Sequence, residues 1–368
     1  MGAPAIAPSV DRCHRAIPEG LGNELIAARM SRSFFVALAL ATALPLIALP
    51  SYGLSHLIAP VPIVAAVYGV WVLTGFGHVT STVWFGVDPD YRPVVRAHRL
   101  RMLACLAVIP VAMAAITLAD RTMSTWLYAG FLAWQAHHFS RQNYGILSFA
   151  AANDRFGPLP REVGLITNIT SAAGAMGMVT MPSIYPKGLP RLPLLTPTLA
   201  VYGHVAAIVC FVAAAGLTAW LLVKDRRLRR SPTVLLFLGL SGVFFSPSLL
   251  HGPPVMAFWP YAMAHGAQYL IVMANTSRTS PFGWVGFAIF AVGAACLGAA
   301  AIALPGPVLI QAFTGIVIWH FLADARLWRL RDPVVRAIVR RRFSFVFEVR
   351  PATSPIGISL PKSAPQET

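Results

Sequence analysis

Five histidines lie inside apolar stretches of this 368-residue chain. An ionisable side chain is costly within a segment of hydrocarbon length, so it marks a functional site by default. Imidazole is the commonest metal ligand in proteins, and several histidines at one depth predict a bound metal. The five are His78 in TGFGHVTST, His137 and His138 in WQAHHFSRQNYG, His265 in AMAHGAQYL and His320 in VIWHFLADARLW.

The composition predicts the elements that must position these histidines. The chain is 57% hydrophobic and only 11% charged, whereas soluble domains carry roughly 25% charged residues. Apolar runs of about 20 residues, the length of a membrane-spanning helix, recur from end to end. We therefore predict an all-α, polytopic transmembrane bundle of about ten helices. The predicted segments are Ser33–Pro50, Leu57–Phe85, Met102–Leu118, Thr125–Ala150, Val163–Met181, Pro197–Val223, Pro232–Leu250, Met256–Asn275, Phe282–Leu304 and Pro307–Leu327.

The net charge of +16 is distributed unevenly along the chain. With the N-terminus inside, the loops predicted to be cytoplasmic, such as KDRRLRR, hold most of the basic residues, and outer loops such as HGPP nearly lack them. This positive-inside bias predicts that both termini are cytoplasmic. The basic residues are therefore expected to orient the protein in the membrane and to contact anionic lipid headgroups, so no nucleic-acid partner is expected. We expect an integral protein of a bacterial cytoplasmic (inner) membrane, and the sequence indicates no particular protein partner.

One membrane domain is predicted, covering residues 33–330. A polar cytoplasmic arm, residues 1–32, precedes it, and a basic, partly disordered tail, residues 331–368, follows it. Ser354–Thr368 is rich in Pro and Ser and is expected to be disordered.

The predicted topology places the histidines at similar depth. The second, fourth, eighth and tenth segments all run from outside to inside, and their histidines fall in the middle or inner half of each segment. Metal sites in helical bundles are built from side chains on facing helices in this way. Adjacent residues of a helix point about 100° apart. One of His137 and His138 is therefore expected to be a ligand, with the other as its alternate.

Polar residues accompany the histidines at helical spacing, which puts them on the same face. Asp324 follows His320 at i+4, and it is the one carboxylate that we place inside a predicted membrane segment. It could orient His320, ligate the metal, or pair with Arg326 or Arg329 near the interface. The other candidates for orienting or catalytic roles are Gln142 beside His138, Gln268 and Tyr269 beside His265, and Thr74 and Thr82 beside His78.

Several known kinds of metal enzyme are excluded by their motifs. The inward Glu and Glu-x-x-His pattern of helical-bundle di-iron proteins is missing, and so is the H-E-x-x-H pattern of zinc proteases. The histidine boxes of membrane desaturases are also absent. Imidazole suits Fe, Cu and Zn alike. The remaining possibilities are non-haem iron, which we favour, and haem, copper or zinc.

The isolated, helix-borne histidines of a basic polytopic chain resemble those of the Brp/Blh group of integral-membrane carotenoid-cleaving dioxygenases. The resemblance implies an iron centre with four histidines, here His78, His138, His265 and His320, and a lipid-soluble polyene substrate. The sequence therefore predicts a membrane iron oxygenase that acts on a hydrophobic substrate. Two alternatives remain open, a haem protein for transmembrane electron transfer and a proton-coupled transporter that uses Asp324 and the histidines as a relay.

Overall fold

The computed structural model describes residues 19–55, 61–190, 192, 196–250, 252–278, 280, 282–303 and 306–347. These residues form helices and loops without a strand. The segment Ser354–Thr368 lies outside them. The helices are α1 Glu19–Ser55, α2 Val61–Val72, α3 His78–Ser81, α4 Trp84–Val87, α5 Arg92–Ala119, α6 Arg121–Asn153, α7 Arg161–Val179, α8 Pro197–Lys224, α9 Arg226–Arg229, α10 Pro232–Val243, α11 Pro254–Ala257, α12 Trp259–Ser277, α13 Gly283–Ala303, α14 Pro307–Leu327, α15 Pro333–Arg342 and α16 Ser344–Phe347.

Within the described part of the chain, six stretches of helix are long and apolar enough to cross a membrane, rather than the ten predicted. They are Glu24–Ser51, Arg92–Ala119, Pro197–Lys224, Pro232–Leu250, Gly283–Ala300 and Pro307–Leu327. These helices indicate an integral membrane protein.

Six of the ten predicted segments coincide with these stretches, and the other four fall in α2–α4, α6, α7 and α12. Helices α6 and α12 are long enough, but they bury polar side chains such as Gln135, Asn143 and Gln268 and are less apolar. The predicted second segment is helical over residues 61–81, but a π-helical turn at Leu73–Gly77 interrupts its α-helical hydrogen bonding and a turn follows at Thr82. The polar and irregular stretches are therefore those nearest the histidines.

Helices α5 and α14 pack closely along their length. A Cβ atom added at Gly315 would lie only 2.6 Å from the Cα of Pro110, so the crossing requires glycine. The indole Nε1 of Trp319 on α14 donates to the carbonyl of Met102 on α5 at 2.9 Å. This contact fixes the depth of α14 next to His320.

Both predicted flanking segments contain helix. Helix α1 begins at Glu19, so part of the predicted N-terminal arm is continuous with the first membrane helix. Residues 333–347, which fall in the predicted tail, form α15 and α16 and bury Val335, Val339 and Phe343 in the hydrophobic core. Residues 333–347 are thus part of the folded domain.

A buried arginine joins α15 to the helices that carry histidines. Arg342 donates to Asp88 at 2.7 Å and also to Asp90, both of which follow α4. It donates as well to the carbonyl of Thr276, near the end of α12. Asp88 is fully buried, so its charge depends on Arg342.

We predict that Arg342→Met destabilises the fold strongly. Removing one partner of a buried ion pair leaves an uncompensated charge and costs about 3–5 kcal/mol, which corresponds to a fall of about 5–10 °C in the thermal midpoint. The measurement is thermal unfolding of the detergent-solubilised protein. Arg340→Met, at an exposed position on the same helix, is the control and should change the midpoint by less than about 2 °C. Equal midpoints for the two variants would contradict this role of Arg342.

Asp90, in the loop between α4 and α5, makes this junction sensitive to pH. Partial burial raises its pKa, but hydrogen bonds and charges from Arg342 and Arg341 outweigh burial and hold the pKa below the ordinary 3.8. A carboxyl of this kind stabilises the fold above its unfolded pKa and loses that contribution as the pH falls through its folded pKa. The native thermal midpoint should therefore exceed that of Asp90→Asn near neutral pH, and the two should converge as the pH falls through the folded pKa, which lies below 3.8. A gap that is unchanged at low pH would refute this.

Candidate metal centre

Four imidazole rings from four helices form a closed ring at the centre of the bundle. His78 begins α3, His138 lies on α6, His265 on α12 and His320 on α14. Going around the ring, the centroids of neighbouring imidazoles are 4.9 Å apart for His78 and His265 and 5.0 Å for His265 and His138. They are 5.3 Å apart for His138 and His320 and 5.1 Å for His320 and His78.

These separations are those of ligands that share one metal ion. An Nε2 atom at about 2.1 Å from a metal puts that metal about 3.2 Å from the ring centroid. Two such rings at about 90–109° have centroids about 4.5–5.2 Å apart. The four observed distances lie close to the upper end of that range.

The nitrogens that face this centre lack partners within the described protein. The Nε2 atoms of His78, His138 and His320, and both nitrogens of His265, are buried without a hydrogen bond. Buried polar groups are nearly always paired, and an exception calls for an explanation such as a bound ion. One metal ion could pair with one nitrogen from each of the four rings, which accounts for four of these five atoms.

The opposite ring nitrogens of two histidines are held by the protein. Nδ1 of His78 contacts the carbonyl of Thr74, one turn earlier. Because a carbonyl can only accept, Nδ1 carries the proton and Nε2 presents its lone pair to the centre. Nδ1 of His320 lies 2.6 Å from the hydroxyl of Thr82. Thr74 and Thr82, both predicted as companions of His78, therefore contact different histidines.

Asp324 lies beside the imidazole ring. Its Oδ2 is 3.6 Å from Nε2 of His320 and 3.9 Å from Nε2 of His138. Its Oδ1 accepts a hydrogen bond from the hydroxyl of Tyr269 at 3.0 Å, and that hydroxyl is also 3.0 Å from the hydroxyl of Thr82. Among the described residues, its ion-pair partners are these two histidines and not Arg326 or Arg329. Asp324 is thus placed as a fifth possible ligand, and Tyr269 as the group that orients it.

The two predicted glutamines connect helices and make no hydrogen bond to the imidazole rings. Nε2 of Gln142 donates to the carbonyl of His265 at 3.0 Å and to Oε1 of Gln268 at 2.9 Å. Nε2 of Gln268 donates to the hydroxyl of Thr42 on α1 at 2.7 Å. This chain of amides connects α1, α6 and α12 at the level of His265.

Of the adjacent pair on α6, the structure places His138 in the ring of imidazoles. His137 is exposed on the outer face of the helix, and it belongs to neither group of candidate ligands. The candidate ligands form two groups that share His320. One is His78, His265 and His320, and the other is His138, His320 and Asp324.

Two phenylalanines that the sequence reasoning missed hold histidines by stacking. Phe139 stacks on His265 with ring centroids 4.0 Å apart, and Phe321 stacks on His138 at 4.1 Å. Each phenylalanine directly follows one histidine in the sequence and covers the ring of another. The adjacency was visible in the sequence, but the pairing across helices was not.

The backbone around His78 is also specialised. The π-helical turn Leu73–Gly77 directly precedes it, and such turns are frequent at functional sites. Gly266, next to His265, packs against this turn. A Cβ there would overlap the carbonyl of Thr74 and approach Nδ1 of His78 to 3.1 Å. Glycine at 266 therefore lets the backbones that carry two candidate ligands come together.

Comparison with known proteins does not extend this description, because the chain matches no family model, no curated protein and no solved structure at a significant level.

We predict that Gly266→Ala weakens metal binding. The added methyl group displaces the carbonyl of Thr74, which fixes the orientation of His78, and changes to such supporting contacts typically cost 10–100-fold in metal affinity. Competition of the purified protein with a chelator measures this affinity. Gly239→Ala, where a Cβ would meet nothing within 4 Å, is the matched control. Unchanged affinity in Gly266→Ala would show that this contact does not position His78.

Proposed function

We propose that this protein is a membrane-embedded metalloprotein with one non-haem iron, acting as an oxygenase on a hydrophobic substrate. The single observation that carries the proposal is the ring of four imidazoles whose facing nitrogens are buried and unpaired. We further propose cytoplasmic termini and a bacterial inner membrane, on the basis of the positive-inside bias.

The ligand set favours iron over the other metals that imidazole accepts. Zinc sites are almost always tetrahedral with four ligands, whereas Asp324 here offers a fifth ligand beside His138 and His320. Octahedral iron accommodates histidine and carboxylate together and keeps a position open in oxygenases. Bound here, iron would supply the activation of O₂.

The protein's own residues give this centre two properties that such chemistry needs. Phe139 and Phe321 stack over two of the histidines and restrict water. Tyr269 donates to one oxygen of Asp324, which leaves the other oxygen facing the histidines. The proposed roles are therefore four histidine ligands, an oriented carboxylate and an apolar surround.

The geometry disfavours haem. Two axial imidazoles of one haem have centroids about 6.4 Å apart, with the porphyrin plane between them. Here each imidazole has two neighbours at 4.9–5.3 Å, which leaves no slot for a macrocycle between adjacent rings. The proposal uses the same four histidines that the resemblance to the Brp/Blh group implies as ligands.

The test is metal content by elemental mass spectrometry, with an absorption spectrum of the same purified sample. We expect about one iron per chain and no Soret band. Single replacement of His78, His138, His265 or His320 by Ala should lower the iron content more than about tenfold at limiting iron. His137→Ala is the matched control, because it removes an exposed imidazole next to a ligand, and it should retain iron.

Two results would contradict the proposal. A Soret band in the native protein would identify a haem instead. Iron content that is equal in His138→Ala and His137→Ala would show that the ring of histidines holds no metal, and would favour the proton-relay alternative.

A further inference from the structure

Arg141 lies at the depth of the candidate metal centre. Gln142, the next residue, hydrogen-bonds Gln268 in the middle of α12, and Gln268 in turn hydrogen-bonds Thr42 within the span Glu24–Ser51 of α1. Thr42 is ten residues from Arg32, or about 15 Å along a helix. Arg141 is therefore about half a hydrocarbon thickness away from the basic end of the bundle.

Arg141 belongs to an exposed polar stripe on α6. Trp134, His137 and Arg141 follow one another at i+3 and i+4, which puts them on one face, and all three are exposed. Exposed arginine is costly against lipid at mid-depth and marks a face that binds something other than hydrocarbon.

This face borders the open side of the metal centre. The side chains of His138 and Asp324 are 11% and 9% exposed, whereas that of His320 is fully buried. The ring of Trp134 lies 6.1 Å from that of Phe321, which stacks on His138. A molecule lying on the stripe would thus contact a cation at one end and the accessible ligand at the other.

The charges on this face identify the chemistry of its occupant. Arg141 has no carboxylate within ion-pair distance among the described residues, and its guanidinium lies over the ring of Tyr144 at 5.3 Å. A second copy of the chain would bring cations against cations, because Asp324 is the one described carboxylate at the level of the histidines. A guanidinium binds carboxylate or phosphate through two parallel hydrogen bonds.

We infer that the substrate is an acidic amphiphile whose carboxylate or phosphate head binds Arg141 while its hydrocarbon part lies along Trp134 towards His138. This inference rests on the proposed function, because it takes the metal centre as the place of reaction. It narrows the substrate from any hydrophobic molecule to one with an anionic head.

The experiment measures equilibrium binding of radiolabelled oleate, oleyl phosphate and methyl oleate to the purified, iron-loaded protein. We expect at least one of the two anions to bind about tenfold more tightly than the neutral ester. Arg141→Gln should abolish that preference, and Arg141→Lys should restore part of it. Arg29→Gln, at another exposed arginine on α1, is the matched control and should bind like the native protein. The anion that binds more tightly identifies the head group of the substrate.

Metal content of the same samples separates the two proposals. If the iron content is normal and the protein binds the ester and both anions equally, the inference of an acidic substrate is overturned. The proposal of a metal centre is then unaffected. An anion preference that survives Arg141→Gln also overturns the inference of an acidic substrate. If the protein binds no metal but prefers anions in a way that depends on Arg141, the anion site is supported and the proposed oxygenase function is overturned.

Discussion

The need to bury imidazole nitrogens inside an apolar bundle controls the rest of this structure. An unpaired buried polar nitrogen costs free energy, and four histidines share that cost at one point where α3, α6, α12 and α14 meet. A single metal ion can offset it by accepting all four lone pairs. The helices must therefore meet at a fixed depth, and several hydrogen bonds between helices serve that purpose.

Those contacts act on the backbone as well as on the rings. The carbonyl of Thr74 fixes the tautomer of His78, and Gly266 lets the π-helical turn approach α12. Gln142 and Gln268 bind the backbone of His265 and the hydroxyl of Thr42. A metal site requires both preorganised ligands and supporting hydrogen bonds, and this chain provides them from helices that are distant in sequence.

The sequence predicted an all-helical membrane protein and placed His78, His265 and His320 at one depth, because hydropathy and helical rise are local properties. It left His137 and His138 as alternates, since the choice depends on how α6 is rotated against α14. It also missed the stacking of Phe139 and Phe321 on histidines of other helices, and it predicted ten spans where six of the described helical stretches are long and apolar enough. Contacts between helices of this kind are set by tertiary packing and leave no periodic signal.

X-ray absorption at the iron edge of the purified protein tests the central claim most directly. A centre held by His78, His138, His265 and His320 predicts a first shell of nitrogen and oxygen at about 2.1 Å, with the multiple-scattering pattern of about four imidazoles. A first shell without imidazole scattering, or a porphyrin pattern, would contradict the account. Either result would mean that the four histidines meet in this bundle for a reason other than holding a metal.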